Sequence, residues 1–301
     1  MSKAIPVKRV KRKSSNNVLR PNRSRSGDIF IWCILAIFGF FFAFPLIFAI
    51  NNAFKPLNEL FLFPPRLFVI NPTFNNLQDL FILMSRSWTP FTRYVFNTLF
   101  ITTAGTVGHL LIASMGAYAI SKYDFPGGKT FFNLVIITLM FSGFVTAIPN
   151  FLVLSGLGWI DTYWAVIIPH FAFPMGFFLM KQFIDTVPQS LVESAKIDGA
   201  TEWHIYSRIV LPLVKPALLT GMIFSVQALW NNPQANLIYT EQLKTLPFAL
   251  QQIVGSPHTP NIARAGVGAA VTLVMMVAPI TLFIIAQSNI LRTMANSGIK
   301  E

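Results

Sequence analysis

Charge is scarce in this chain. Asp, Glu, Lys and Arg make up 11% of its 301 residues, against roughly 25% in soluble globular domains. That shortage excludes an ordinary soluble fold. Cysteine is nearly absent too. Cys33 stands alone, which excludes an intrachain disulfide and a cysteine-built metal cluster and leaves it a packing role. Six stretches, 29–51, 94–121, 130–160, 162–180, 216–240 and 265–291, contain no Asp, Glu, Lys or Arg. Proton- or sodium-coupled carriers usually keep a carboxylate within a span, so these bare stretches argue against that mechanism. The four histidines, His109, His170, His204 and His258, lie far apart and form no nucleophile–base constellation; no catalytic residue and no metal site is read.

What is present is apolar. Hydrophobic residues make up 53% of the chain, and 30 residues are phenylalanine. Each charge-free stretch approaches or exceeds the ~20 residues needed to cross a hydrocarbon core about 30 Å thick. A backbone inside that core must satisfy its own N–H and C=O groups, so each span must be helical. The pattern predicts an all-α integral membrane protein with six transmembrane helices, at about 29–51, 94–119, 131–155, 162–181, 217–238 and 266–288, within a 29–291 transmembrane domain. The fifth is the least hydropathic because it carries Gln227, Asn231, Asn232, Gln234 and Asn236.

Residues 1–28 form a basic tail with nine Lys and Arg. The first span is read as uncleaved: it is longer than a signal h-region, and no Ala-x-Ala-like site follows it. The tail is read as a flexible cytoplasmic segment that sets orientation and touches anionic lipid, not as a nucleic-acid binder. With it inside, both termini are cytoplasmic, including the 292–301 tail. The inside segments then hold 17 Lys and Arg and the outside segments 6, the bias expected of cytoplasmic loops. The net charge of +12 thus reflects topology. The outside loops, about 52–93 and 241–264, are rich in proline and suit contact with an external partner or shielding of helix ends.

The cytoplasmic loop 182–215 has the grammar of two short helices around a glycine. Pro188 suits a first helical turn, and Leu191, Val192 and Ala195 recur at helical spacing. Gly199 suits a left-handed helix end, and Thr201 a helix cap. Trp203, Tyr206, Ile209 and Val210 then share one face, with His204, Ser207 and Arg208 on another. Pro212 and Pro216 end the helix and start the next span. By itself this amphipathic pair fits either a docking helix or a segment lying on the lipid surface.

Two further signals have plain readings. Gly128-Lys129-Thr130 ends like a phosphate-binding loop, but position 123, which needs glycine, is Tyr123, and Pro126 interrupts the segment. It is read as a tight turn between spans. His109, in mid-span, is a candidate functional group or a neutral histidine bonded to a neighbouring helix.

The stretch Glu193-Ser194-Ala195-Lys196-Ile197-Asp198-Gly199-Ala200, followed by Tyr206, Ile209, Leu211-Pro212 and Pro216, resembles the signature loop of permease subunits in bacterial binding-protein-dependent ABC importers. That pattern reads Glu-Ala-Ala, two residues, Asp-Gly-Ala, then an aromatic, Ile, Leu-Pro and Pro; Ser194 replaces one small residue by another. Tyr118-Ala119-Ile120-Ser121 with Phe125-Pro126-Gly127, Ala265 to Ala270, Ser297 to Lys300, and Trp230-Asn231 resemble the carbohydrate branch of the family, whereas Asn232-Pro233-Gln234 departs from it.

The resemblance implies a type I ABC importer permease fold in a bacterial inner membrane. It implies a second homologous permease, two ATPase subunits carrying ATP and Mg, an extracytoplasmic solute-binding protein and a carbohydrate cargo. No cofactor is expected on this chain. Glu193, Ala195, Asp198, Gly199, Ala200, Trp203, Tyr206, Leu211 and Pro212 would form the ATPase-coupling segment, with Trp203 and Tyr206 as apolar anchors. Gln227, Trp230, Asn231 and Asn232 are the candidate translocation path, where amides and an aromatic platform suit a sugar; their other reading is interhelical hydrogen bonding. A permease for a peptide or polyamine, and a passive channel or scaffold, are the alternatives.

Overall fold

Apolar runs that must bond their own backbone fold as helices, and no strand occurs among the described residues. The structure is a computed structural model and describes residues 25–85, 89–233, 236–255 and 261–297. Most of the basic tail, Gln234 and the last four positions lie outside the described residues.

In chain order the helices are α1 (Arg25–Phe54), α2 (Leu57–Leu60), α3 (Asn75–Ser85), α4 (Phe91–Lys122), α5 (Gly128–Thr138), α6 (Gly143–Gly156), α7 (Trp164–Phe171), α8 (Pro174–Asp185), α9 (Gln189–Ile197), α10 (Glu202–His204), α11 (Leu211–Leu213), α12 (Lys215–Trp230), α13 (Leu246–Gly255) and α14 (Asn261–Ser297). A wide-turn π segment, Ile205–Val210, joins α10 to α11, and a 3-10 turn, Glu241–Leu243, precedes α13.

The chain divides into two compact units, Met1–Phe48 and Ala49–Glu301. The described part of the first is the apolar body of α1. Among the described residues, Ser26–Phe54, Phe91–Lys122, Trp164–Asp185 and Ala265–Gln287 are each long and apolar enough to cross a membrane. Two bent pairs raise the number to as many as six: α5 with α6 at 115°, and Glu202–Leu213 with α12 at 79°. The stretch expected as one helix at 131–155 is therefore two. The stretch expected at 217–238 is helical only as far as Trp230.

Within the larger unit α4 is the central post. It packs against α7, α8 and α12, and glycines set the distance. A Cβ at Gly105 would lie 2.6 Å from Leu229 Cδ1, and one at Gly116 2.9 Å from the Phe177 ring. At Gly108 it would fall on the Phe171 ring, and at Gly176 on the ring of His109. Small residues at such crossings let helices approach where the membrane supplies no hydrophobic drive. His109 is wholly buried, and its Nδ1 lies 3.2 Å from the Phe171 carbonyl. The carbonyl accepts, so Nδ1 carries the proton and the ring faces Gly176 with Nε2.

Away from the 182–215 loop, side chains fasten the post to a cap. Asn97 donates to the carbonyls of Gln242 (2.8 Å) and Lys244 (2.9 Å), and Tyr94 donates to Glu241 (2.6 Å). The Asp161 carboxylate accepts from the N–H groups of Tyr239 and Thr240, each at 2.8 Å.

Because the His109 ring occupies the space a side chain at 176 needs, Gly176→Ala should destabilise the fold by about 1–3 kcal/mol through overpacking. Combining it with His109→Ala should give less than the sum of the two single effects. Thermal unfolding of the four proteins in detergent measures this; strict additivity would contradict the packing.

Candidate functional site

The loop after α8 is built by local rules. Pro188 is extended (φ −58°, ψ 134°) and sits just before α9 as its cap position, not within its first turn. The helix ends in a Schellman closure: Gly199 N–H donates to Lys196 O and Ala200 N–H to Ala195 O, both at 3.0 Å. Gly199 has φ +79°, the left-handed conformation that favours glycine. The Thr201 hydroxyl then accepts from the His204 N–H at 3.3 Å and starts the second helix. Over Ile205–Val210 that helix widens, and Leu211 N–H reaches back five residues to Tyr206 O. Pro212 has no N–H to bond the Arg208 carbonyl and would clash with it in an α-turn; the wider turn accommodates both. Pro216 lies in the first turn of α12.

The resulting hairpin has two different faces. Val192, Ala195, Ile205, Tyr206, Val210 and Val214 are buried in one cluster with Ala113, Ala117 and Tyr118 of α4 and Met180 and Ile184 of α8. Each fully buried aliphatic side chain of this size contributes about 1.5–3 kcal/mol relative to exposure. The opposite face keeps large apolar groups in the open: Ile197 is 86% exposed and Trp203 63%. Glu193 and Asp198 are also exposed, and neither carboxylate has a hydrogen-bond partner among the described residues.

Tyr206 corrects the expectation that it stands beside Trp203 as an outward anchor. It is buried, its hydroxyl lies 2.8 Å from Ser114 Oγ of α4, and its ring leans on Tyr118 at 5.5 Å. The widened turn and the small residues Ala113, Ser114 and Ala117 make room for it. Trp203 touches Tyr206 from outside, with ring centroids 5.4 Å apart.

A polar cluster that the sequence did not reveal closes the hairpin against α4. Glu202 accepts from Tyr118 at 3.1 Å and from Tyr123, and pairs with Lys196 at 2.9 Å. Lys196 also donates to the Tyr123 hydroxyl (3.2 Å) and lies 4.6 Å from that ring's centroid. Hydrogen bonds from Tyr123 and Lys196 hold the Glu202 carboxyl below the ordinary glutamate range, although partial desolvation works the other way. Glu202 in turn raises the Lys196 ammonium. Nearby, buried Lys122 donates to the Val187 carbonyl at 2.6 Å and ties α4 to the start of the loop. The Gly128-Lys129-Thr130 segment starts α5 directly after Gly127, which takes φ +93° in the expected turn.

The candidate path residues do not form one site. Trp230, expected as a platform, is buried, and its indole N–H donates to Met275 O of α14 at 3.0 Å. It locks α12 to α14. Gln227 is exposed, and its carbonyl accepts from the Asn231 side chain at 3.0 Å. Asn231 lines a depression of about 480 Å³ against α13 and α14. Asn232 faces a different cavity of about 410 Å³, with Thr146, Asn150, His170, Phe173 and Asn236. Three breaks in the helices meet there: the start of α6, the α7–α8 joint and the end of α12. Behind its wall, His170 Nε2 lies 2.7 Å from Ser225 Oγ, which donates to Thr106 of α4 at 3.1 Å.

These features define a multi-pass helical membrane protein with a two-faced helical hairpin at one end. The chain belongs to the binding-protein-dependent transport system inner membrane component family, whose model matches residues 110–295. It is 36% identical over 174 residues to the polygalacturonan/rhamnogalacturonan transport system permease protein YtcP of Bacillus subtilis, an alignment covering 54% of this chain and 60% of that relative, less than two thirds of its length. It is 30% identical over 289 residues to the arabinooligosaccharides transport system permease protein AraQ of Halalkalibacterium halodurans, covering 92% and 99%. Its fold matches a chain of a bacterial ABC transporter involved in import of the acidic polysaccharide alginate, with a TM-score of 0.72 at 23% identity over 89% of this chain and 99% of that one.

Because Glu202 titrates below its ordinary range in the fold, the stability it adds is present at neutral pH and lost as pH falls through that depressed value. At this exposure it is worth at most about 1 kcal/mol. The melting-temperature gap between wild type and Glu202→Gln should therefore close on acidification; a gap independent of pH would contradict the cluster.

Proposed function

We propose that this chain is one of two membrane subunits of an ATP-driven importer that moves a mono- or oligosaccharide delivered by an extracytoplasmic solute-binding protein. In this reading six spans cross a bacterial inner membrane, both termini and the 182–215 hairpin are cytoplasmic, and a homologous permease completes the pore. Two ATPase subunits, which hold ATP and Mg, hydrolyse the nucleotide; this chain does no chemistry.

The observation that carries the proposal is the two-faced hairpin. Its inner side is fixed to α4 and α8, while Trp203, a residue type enriched at interface hot spots, and Ile197 are left unburied. A face of that kind suits docking on the ATPase. Glu193 and Asp198 are free to pair with basic groups there. Ala195 and Ala200 keep the closure tight, Gly199 makes the turn, and Leu211 and Pro212 lead the chain back to the bundle. Tyr206 acts from inside, holding the docking face to α4.

The carbohydrate cargo is supported by the names of two relatives, which specify polygalacturonan or rhamnogalacturonan and arabinooligosaccharides. A structure of the alginate transporter bound to a pentasaccharide-loaded periplasmic protein supports delivery from outside. For the path we favour the cavity at Asn232, where broken helices meet and the lining mixes apolar side chains with Thr146, Asn150, His170 and Asn236 and holds no Asp, Glu, Lys or Arg. In membrane transporters interrupted helices commonly border the solute route.

Gly199→Val places a β-branched residue at a left-handed position. It should abolish uptake while leaving the protein inserted in the membrane. Uptake by cells and the membrane content of the chain measure the two effects. Undiminished uptake would refute the coupling role, and failure of the wild-type chain to copurify an ATPase would favour a passive channel.

A further inference from the structure

Movement of a hairpin docked on the ATPase enters the membrane only through the hairpin's contacts with the bundle. Four side chains from three places in the chain meet at that boundary. Glu202 belongs to the second hairpin helix and Lys196 to the first. Tyr118 lies in the last turns of α4, and Tyr123 just after it. We propose that this carboxylate–phenol–ammonium cluster is the joint through which displacement of the hairpin reaches α4, with Glu202 as its positioning residue. The inference rests on the coupling role proposed above.

Three observations support it. First, the cluster grips the hairpin at its turn, and the Lys122–Val187 bond grips the same end of α4 at the hairpin's entry. Second, the cluster continues a row of aromatic rings from the outward face. Trp203 touches buried Tyr206 at 5.4 Å, Tyr206 touches Tyr118 at 5.5 Å, and Tyr118 touches Tyr123 at 5.8 Å. Third, α4 is bonded near its middle to the wall of the Asn232 cavity and at its far end to the cap. Its 32 residues span about 48 Å. Thr106 joins the wall of the Asn232 cavity through Ser225 and His170, and Tyr94 and Asn97 bond the cap. A continuous helix transmits a push at one end to the other.

The chemistry suits a joint that is remade in each cycle. The Glu202 and Lys196 side chains are 56% and 40% exposed. Water competes for such a pair, so it parts and re-forms easily. The buried Tyr206–Ser114 contact beside it has no such freedom, and it keeps the hairpin attached while the cluster changes.

The test uses the assembled transporter, both permeases with two ATPases, in lipid nanodiscs. Cys33 is first replaced by Ser, and spin labels are placed at Leu99→Cys on α4 and Phe283→Cys on α14. Trapping with ATP and vanadate should shift the distance between the labels in the otherwise wild-type complex. Glu202→Ala, and separately Tyr118→Phe with Tyr123→Phe, should abolish the shift while the ATPases still copurify and hydrolyse ATP at the unstimulated rate. Exchanging the pair (Lys196→Glu with Glu202→Lys) should restore it. No shift in the parent complex, a full shift in both sets of variants, or loss of the ATPases from the variants would overturn the joint. Failure of the parent chain to bind any ATPase would instead overturn the functional reading beneath it.

Discussion

Hydrocarbon offers no partner to a backbone N–H or C=O, and the architecture follows from that limit. Continuous helix is the cheapest way to satisfy it, and α4 and the apolar stretch of α14 take that form. Where the larger unit departs from it, the departures gather. The start of α6, the joint between α7 and α8 and the end of α12 border the same cavity, which Thr146, Asn150 and Asn236 also line. The glycines along α4 then decide which helices come close enough to surround that cavity, because bulkier residues at 105, 108 or 116 would collide with the neighbours.

The hairpin obeys the opposite rule. It lies outside the apolar bundle, yet one side is as deeply buried as any part of the protein and the other displays Ile197 and Trp203. Outside the apolar bundle lipid does not cover such groups, so a partner is what would cover them. The burial of Val192, Ile205 and Val210 thereby does two jobs: it holds the turn in place and it aims the other face outward.

Part of the local conformation of this region was legible in the sequence, but the place of Pro188 before α9, the continuation of the helix through Pro212 and the wide turn at Ile205–Val210 were not. Gly199, Thr201 and Pro216 act through neighbours within a few residues, and each takes a role that its backbone or hydroxyl chemistry requires. The family pattern likewise rests on residues close in sequence, and the family match covers it. Side-chain direction was not legible. Tyr206 turns inward because Ala113, Ser114 and Ala117 on α4 leave space for its ring, and Trp230 turns inward because Met275 offers a carbonyl. The bonds from Tyr118 and Tyr123 to Glu202 cross sequence separations of 84 and 79 residues, which no local pattern encodes. The lack of charge marked 131–155 as one apolar segment, but it could not register the 115° bend inside it.

The central claim is that the outward face of the hairpin is where this chain meets its ATPase. Photo-crosslinking from single positions in the assembled complex tests it most directly. A photoreactive residue at 203 or 197, both exposed, should form a covalent adduct with the ATPase subunit, whereas one at 206, buried against α4, should not. An ATPase that copurifies but gives no adduct from 203 or 197, or gives equal adducts from 206, would contradict the account.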